Sequence, residues 1–212
     1  MARGRAPGFD LQREQILHAA AALFAKRGYA GTSMNDVAEA SGVSKPALYH
    51  YVRDKEGLLA AIAGGHIERL RALVDAVGAD AEAVDPEVRV RRLIEAFLAA
   101  YADAQDEHRV LTDDVRFLPE TERERVLEGE RAVVSAFADA VAAARPALRR
   151  DGLDKPLTML LFGMMNWMFT WLQPGGRYTH GDLAPVVADL FFGGLGAVRA
   201  PRRRAAPRKL AA

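Results

Sequence analysis

Apolar residues recur at the spacing of an α-helix along almost the whole chain, and segments that alternate like a β-strand are scarce. The segment 10–27 shows the pattern clearly, because Ile16, Ala20, Leu23 and Phe24 fall on one face of a helix. The periodicity therefore predicts an all-α protein. Further helices are predicted near 86–105, 119–145, 156–173 and 182–198.

Length and composition exclude several classes of protein. The chain has 212 residues and no cysteine, which removes disulfides, thiolate metal sites and cysteine nucleophiles. The first 15 residues contain no apolar segment typical of a secretory signal. The longest apolar stretch, 157–172, is shorter than the roughly 20 residues that cross a bilayer. These features predict a cytoplasmic protein.

Charge is distributed unevenly along the chain. Residues 1–60 carry a net charge of +2, residues 61–198 carry −7, and residues 199–212 carry +6. A basic end can meet a polyanion while an acidic body stays away from it. The segment 199–212 is predicted to be a disordered basic tail, either a mobile cation on DNA or a solubilising end.

Two short helices joined by a tight turn are predicted near the N-terminus. Ser33 and Asp36 have the spacing of a capping box, and Ser44 is placed to cap the second short helix. Gly42 lies in the turn between them, where a positive φ is adopted at low cost. The first short helix is predicted to end near Ala40, and the second is predicted to span 45–51. A third helix, capped by Asp54, is predicted to span 55–77. This layout is typical of a helix-turn-helix.

The second short helix is predicted to read bases in the major groove. Phosphate contacts are predicted for Thr32, Ser33 and Lys55, and a flexible arm with Arg3 and Arg5 is predicted to enter the minor groove. The candidate base-contacting residues are Ser44, Lys45, Pro46, Ala47, Tyr49 and His50.

The amino-acid sequence of segments 32–38, 41–51 and 55–59 resembles that of the N-terminal domain of TetR/AcrR-family transcriptional regulators. The chain departs from that pattern at Pro46 and Ala47. The resemblance implies a homodimer that binds a palindromic operator and is released by a small effector. It also implies a DNA-binding domain over 1–54 and an effector-binding and dimerisation domain over 55–198.

The segment 157–172 is apolar on nearly all sides, so it is predicted to be covered on two sides. One stripe contains Leu160, Met164, Trp167 and Trp171, and the other contains Phe162, Met165, Phe169 and Leu172. Which stripe lines a pocket and which meets a partner subunit stays open. The candidate ligand-binding residues are Phe97, Tyr101, Arg109, Arg116, Phe117, Met164, Trp167, Met168 and Trp171. The candidate dimer-interface residues are Phe162, Phe169, Val187, Leu190, Phe191 and Gly194.

Segments 114–119 and 162–171, followed by 174–176, resemble the C-terminal domains of regulators that respond to acyl-CoA or phenylacetyl-CoA. The resemblance implies a CoA thioester as effector, with arginines near the pocket mouth on its phosphates. Two alternatives stay open: a regulator of the same fold that answers an apolar or cationic drug, and a helical ligand-binding protein or enzyme with a purely structural helix-turn-helix.

Enzyme chemistry is not predicted. Tyr51 and Lys55 have the spacing of a dehydrogenase pair, but no glycine-rich strand–turn–helix precedes them. The five histidines lack the i, i+4 spacing of a metal site, and no Gly-x-Ser-x-Gly segment is present. The sequence therefore predicts no cofactor, no metal and no membrane partner.

Overall fold

The computed structural model describes residues 8–79, 84–173 and 175–198, and these residues form helices without any strand. Two 3₁₀ turns, Val115–Phe117 and Trp167–Thr170, extend the ends of two of the helices. In this part of the chain no helix is both long and apolar enough to span a membrane. The α-helices are α1 (Phe9–Arg27), α2 (Met34–Ala40), α3 (Lys45–Tyr51), α4 (Lys55–Gly78), α5 (Pro86–Asp103), α6 (Gln105–Asp114), α7 (Glu120–Ala144), α8 (Ala147–Arg150), α9 (Asp154–Asn166) and α10 (His180–Leu195).

The caps expected for the short helices are present. Ser33 and Asp36 form a reciprocal capping box at the start of α2. The Ser44 hydroxyl accepts a hydrogen bond from Ala47 N, and Asp54 Oδ1 accepts one from Gly57 N at 2.6 Å. Gly42 has a φ of 68°, so the turn between α2 and α3 uses its conformational freedom.

The first three helices share a small core. Val37 of α2 and Leu48 of α3 are fully buried against Ile16 and Phe24 of α1. Burial of Leu48 fixes the rotation of α3 about its own axis, since that side chain must point inward. The opposite face of α3 is therefore turned to solvent.

The later helices enclose a second core. Helix α4 packs on α5, α6 and α7, while α5 also packs on α10 and α7 on α9. Gly129 allows α7 to approach α4 closely, because a Cβ there would lie 2.8 Å from Ile67 Cγ1. The rings of Phe97, Phe137 and Phe162 pack edge to face or tilted where α5, α7 and α9 meet.

Helix α6 is not singled out by the sequence pattern. It buries only Val110 and Leu111 as apolar residues, alongside the polar His108 and Asp114, so its apolar stripe is too narrow to stand out. Helix α6 packs on both α1 and α4 and so joins the two parts of the fold. The helix predicted over 156–173 is also shorter than expected, because α9 ends at Asn166 and a 3₁₀ turn follows.

Candidate functional site

The outer face of α3 presents a compact set of polar and aromatic side chains. Ser44, Lys45, Pro46 and His50 are exposed, and Ala47 is half-buried. Tyr49 is 46% exposed although it is a large ring. A slim, exposed helix with these donors has the shape that a major groove of about 12 Å accepts.

Two residues predicted to contact phosphates already bond to main-chain carbonyls. Thr32 is only 2% exposed, and its hydroxyl donates to the carbonyl oxygen of Gly28 at 3.1 Å. A phosphate contact from this side chain is therefore wrong for this structure. Lys55 Nζ donates to the carbonyl oxygens of Tyr29 and Thr32, each at 2.8 Å, and lies 4.2 Å from the Tyr29 ring centroid. Its ammonium ties the loop after α1 to the start of α4.

Ser33 is exposed, and its hydroxyl bonds to Asp36 Oδ2 at 2.5 Å within the capping box. Arg3, Arg5 and the segment 199–212 lie outside the described residues, so the arm and the tail stay predictions.

A partly enclosed cavity of about 230 Å³ lies between α4, α5, α6, α7 and α9, and we call it the inner cavity. Phe97 and Tyr101, two of the candidate ligand-binding residues, line it. Phe162, a candidate dimer-interface residue, lines it as well. The whole lining is Ile67, Leu70, Phe97, Tyr101, His108, Leu111, Thr112, Glu130, Val133, Val134, Met159, Phe162 and Asn166.

A pair of buried histidines borders this cavity. His66 Nε2 of α4 lies 3.3 Å from His108 Nδ1 of α6, and both side chains are almost fully buried. Arg69 Nη2 lies 3.4 Å from His66 Nδ1, and the Tyr101 ring stacks on His108 with centroids 3.7 Å apart. Burial lowers the pKa of His66 to about 4 and that of His108 to about 3. Both rings are therefore neutral at pH 7.

Two further polar groups face the same cavity. Asn166 Oδ1 accepts a hydrogen bond from the Tyr101 hydroxyl at 3.0 Å, and burial raises the pKa of that hydroxyl. Burial also raises the pKa of the Glu130 carboxyl above its ordinary value, with Arg131 opposing the shift. The cavity is thus apolar with a few polar groups, as small-molecule sites usually are.

A second apolar surface lies open on the outside of α9 and α10. We call it the α9/α10 face: a groove of about 550 Å³ along both helices. Trp167 is 66% exposed and Leu190 is 65% exposed within it. The residues that line it are Met159, Leu160, Gly163, Met164, Trp167, Met168, Trp171, Leu183, Val186, Val187 and Leu190.

The structure decides which stripe of the segment 157–172 faces inward, and several candidate residues lie on the other side from the one predicted for them. Met164, Trp167, Met168 and Trp171, predicted to bind ligand, line the open α9/α10 face and not the inner cavity. Phe162 and Phe169 turn inward, with the Phe169 ring centroid 6.1 Å from that of His108. The physical reason is that Phe97 and Phe137 already fill the inner side of α9 and select the Phe162 stripe as their partner.

The dimer candidates on α10 divide in the same way. Leu190 and Gly194 are exposed, and Val187 lines the α9/α10 face with most of its surface covered. Phe191 is nearly buried, with its ring centroid 5.5 Å from that of Phe192.

Arg109, Arg116 and Phe117 lie at the junction of α1 with α6, outside the lining of the inner cavity. The Phe117 ring stacks on Tyr29 with centroids 5.3 Å apart. Arg109 Nε lies 3.6 Å from Asp113 Oδ2, and the exposed Arg116 guanidinium lies 5.0 Å from the Phe117 ring centroid. Arg109 and Arg116 line a polar groove of about 450 Å³. Their role as phosphate contacts near the pocket mouth stays a prediction.

The sequence reasoning missed His66, His108, Glu130 and Asn166. A signal existed for His66, because it continues the buried stripe of α4 four residues after Ile62. For His108 the sequence contains no such signal, since its partner His66 is 42 positions away in the chain.

Comparison with known proteins gives the same architecture. Residues 16–62 match the family model of bacterial regulatory proteins, tetR family. Residues 83–195 match the model of the tetracyclin repressor-like C-terminal domain. Together the two models cover the helix-turn-helix, the start of α4 and the helices from α5 to α10, while residues 63–82 lie between the two matches.

Individual relatives agree over most of the chain. The transcriptional repressor KstR2 of Rhodococcus jostii is 26% identical over 191 residues, which cover 87% of this chain and 91% of that protein. A TetR-family regulator from Bordetella parapertussis has a TM-score of 0.80 at 32% identity, covering 89% of this chain and 98% of that one. AibR, solved in complex with isovaleryl coenzyme A and operator DNA, has a TM-score of 0.72 at 24% identity, covering 84% and 97%. The last likeness shows the fold alone.

A helix-turn-helix domain joined to a helical domain with an internal cavity defines a ligand-responsive transcription regulator. This chain belongs to the TetR family of bacterial regulators. Members of this family bind operator DNA and small-molecule effectors, are dimers, and are regulators and not enzymes.

Proposed function

We propose that this protein is a repressor whose dimer holds a palindromic operator until a small effector enters the inner cavity. In this proposal residues 1–54 form the DNA-binding domain, with α3 in the major groove of one half-site. Residues 55–198 form the domain that binds the effector and the second subunit.

The observation that carries the proposal is the position of α6. His108, Leu111 and Thr112 of this helix line the cavity. One residue earlier on the same helix, Glu107 Oε1 lies 3.2 Å from His18 Nδ1 of α1. A ligand that shifts α6 therefore acts on the helix that supports α3, which provides a physical path for coupling.

The α9/α10 face supports the dimer. It is large and apolar, and isolated proteins seldom leave such a surface open. At Gly163 and Gly194 an added Cβ would meet nothing within 4 Å, so a neighbouring backbone has room to approach there. Two helices from each subunit would then form the interface.

The effector we propose is the CoA thioester of a small acyl or aryl group. A cavity of about 230 Å³ holds roughly eight water molecules at about 30 Å³ each, which suits a short acyl chain or one ring. Thr112 lines both this cavity and the polar groove that contains Lys26, Arg109 and Arg116. In this proposal these cations meet the phosphates outside the cavity, in a groove that Asp113 and Asp114 also line. The fold of AibR, which holds isovaleryl coenzyme A, can take such a ligand.

Operator release tests the effector. We expect isovaleryl-CoA or phenylacetyl-CoA to raise the dissociation constant for a selected operator duplex about 5-fold to 150-fold, measured by fluorescence anisotropy at fixed salt. The free acids are the controls and should have little effect. If only cationic drugs release the duplex, the alternative of an efflux regulator replaces the thioester.

Variants of α3 test the DNA-binding surface. We expect Lys45→Ala and Tyr49→Ala each to weaken operator binding about tenfold, because each removes a contact of roughly 1–3 kcal/mol. The measurement is a gel shift on a duplex selected from a random library. Lys155→Ala and Tyr178→Ala are matched controls, since both residues are exposed but lie far along the chain from α3. Unchanged midpoints for both α3 variants would remove α3 from the interface.

A further inference from the structure

Hydrogen-bonding geometry determines which nitrogen of each buried histidine carries a proton. The Arg69 guanidinium can only donate, so His66 Nδ1 accepts from it at 3.4 Å. The proton of His66 then sits on Nε2 and is donated to His108 Nδ1 at 3.3 Å. Neutral His108 must therefore carry its own proton on Nε2.

That proton has no acceptor within the described structure. His108 is 3% exposed, and its Nε2 is buried without a hydrogen-bond partner. Nδ1 faces His66, so Nε2 lies on the side of the ring away from His66, and His108 is among the residues that line the inner cavity while His66 is not. Nε2 itself has almost no accessible surface, so a ligand oxygen reaches it after the side chains around the ring make room. A buried donor without a partner is unfavourable, and a ligand oxygen at Nε2 would remove that cost.

The ring that carries this donor is held in place. Tyr101 stacks on it with an interplanar angle of 20°, and the Tyr101 hydroxyl is anchored on Asn166. The Phe169 ring packs edge to face with the His108 ring, with centroids 6.1 Å apart. An N–H group fixed in this way selects for the position of an acceptor as well as for its presence.

The charged residues that line the cavity further limit which ligand groups it can accept. Among the residues that line it, none is a lysine or an arginine, and one is the carboxyl group of Glu130. A ligand carboxylate would find no counter-ion there and would face Glu130. The acceptor that fits is an uncharged carbonyl oxygen on a small apolar group.

We infer that the cavity recognises a small neutral carbonyl compound, such as a thioester, amide or ketone, through a hydrogen bond donated by His108 Nε2. This inference rests on the proposed effector cavity and deepens it. It assigns the carbonyl group to His108 and the apolar group to the lining around Phe97 and Phe162, and it excludes free acids from the same pose.

A pair of probes that differ in one oxygen tests the inference. S-methyl 3-methylbutanethioate is a thioester without phosphates, and isopentyl methyl sulfide is its thioether analogue, which has no carbonyl oxygen. We expect the wild-type protein to bind the thioester about tenfold more tightly than the thioether, measured by ligand-observed NMR titration.

Two variants test whether the preference for the thioester depends on the His108 Nε2 donor. His108→Phe keeps a ring but removes the donor, and we expect it to bind both probes equally. His108→Gln keeps an amide N–H for the ligand and a carbonyl oxygen for His66, so the preference should return. Melting curves accompany both variants. An undiminished preference in His108→Phe overturns the inference, as does equal or undetectable binding of both probes to the wild-type protein.

The result separates this inference from the proposed function. Isovaleryl-CoA and its thioether analogue are tested in parallel for operator release. A preference for the thioester in the phosphate-free pair, without release of operator by either CoA compound, would support the carbonyl contact and reject CoA as the effector. Release by both CoA compounds with equal potency would support the regulator and reject His108 as its carbonyl donor.

Discussion

Leu190→Glu is expected to convert the dimer into a monomer and to lower operator affinity by about 100-fold or more. Leu190 is 65% exposed and lines the α9/α10 face, so one chain alone gains little from its apolar side chain. In a dimer the substitution buries two carboxylates within an apolar interface, at several kcal/mol each. Two linked half-site contacts bind about 10²-fold to 10⁴-fold more tightly than one, and that gain is lost with the dimer.

Light scattering coupled to size-exclusion chromatography measures the mass, and fluorescence anisotropy measures operator binding. The matched control is Leu11→Glu, because Leu11 of α1 is 63% exposed and lies outside the α9/α10 face. We expect the control to keep the mass of a dimer. A dimer that persists in Leu190→Glu would mean that another surface joins the subunits.

Acidification from pH 7.5 to pH 5 is expected to remove about 4 kcal/mol of folding free energy through the histidine pair. An ordinary histidine has a pKa of about 6.5, whereas burial holds His66 at about 4 and His108 at about 3. At pH values between these lowered pKa values and 6.5, the unfolded chain binds more protons than the folded one. The free energy of unfolding therefore falls as pH falls. Each histidine contributes about 2 kcal/mol of that loss at pH 5, since one pKa unit is worth about 1.4 kcal/mol.

Neighbouring charges change the size of this loss of stability on acidification but not its sign. Arg69 lowers the pKa of His66 further and Glu107 raises it, and His180 lowers that of His108. Glu130 acts in the opposite direction, because its raised pKa stabilises the folded state as pH falls towards it. A comparison between variants separates the histidines from the carboxyl groups.

Urea unfolding at the two pH values measures the change. His66→Gln keeps hydrogen-bonding groups but cannot take up a proton, so we expect it to lose about half of the pH dependence. His50→Gln, at an exposed histidine outside the buried pair, is the matched control. Equal pH dependence in wild type and His66→Gln would show that this histidine is protonated at no cost in the folded state.

The helix-turn-helix could be predicted in detail because its determinants are local. The Ser33, Ser44 and Asp54 caps each act on a backbone N–H three residues away. Gly42 acts within its own turn. The exposed face of α3 followed from the same few positions, since burial of Leu48 leaves its neighbours outside. Thr32 and Lys55 departed from expectation because their partners are main-chain carbonyls, which a sequence does not display.

The amino-acid sequence by itself determined the helices with their caps, the turn between α2 and α3, and the presence of two apolar stripes on the segment 157–172. Those features depend on interactions within about four residues of the chain. Only the tertiary structure decided which stripe faces inward, because Phe97 and Phe137 come from other helices. It also brought together His66 and His108, and it placed α6 between the cavity and α1. Contacts between distant segments depend on how whole helices pack, and a helix that is apolar on both sides satisfies its own periodicity in either orientation.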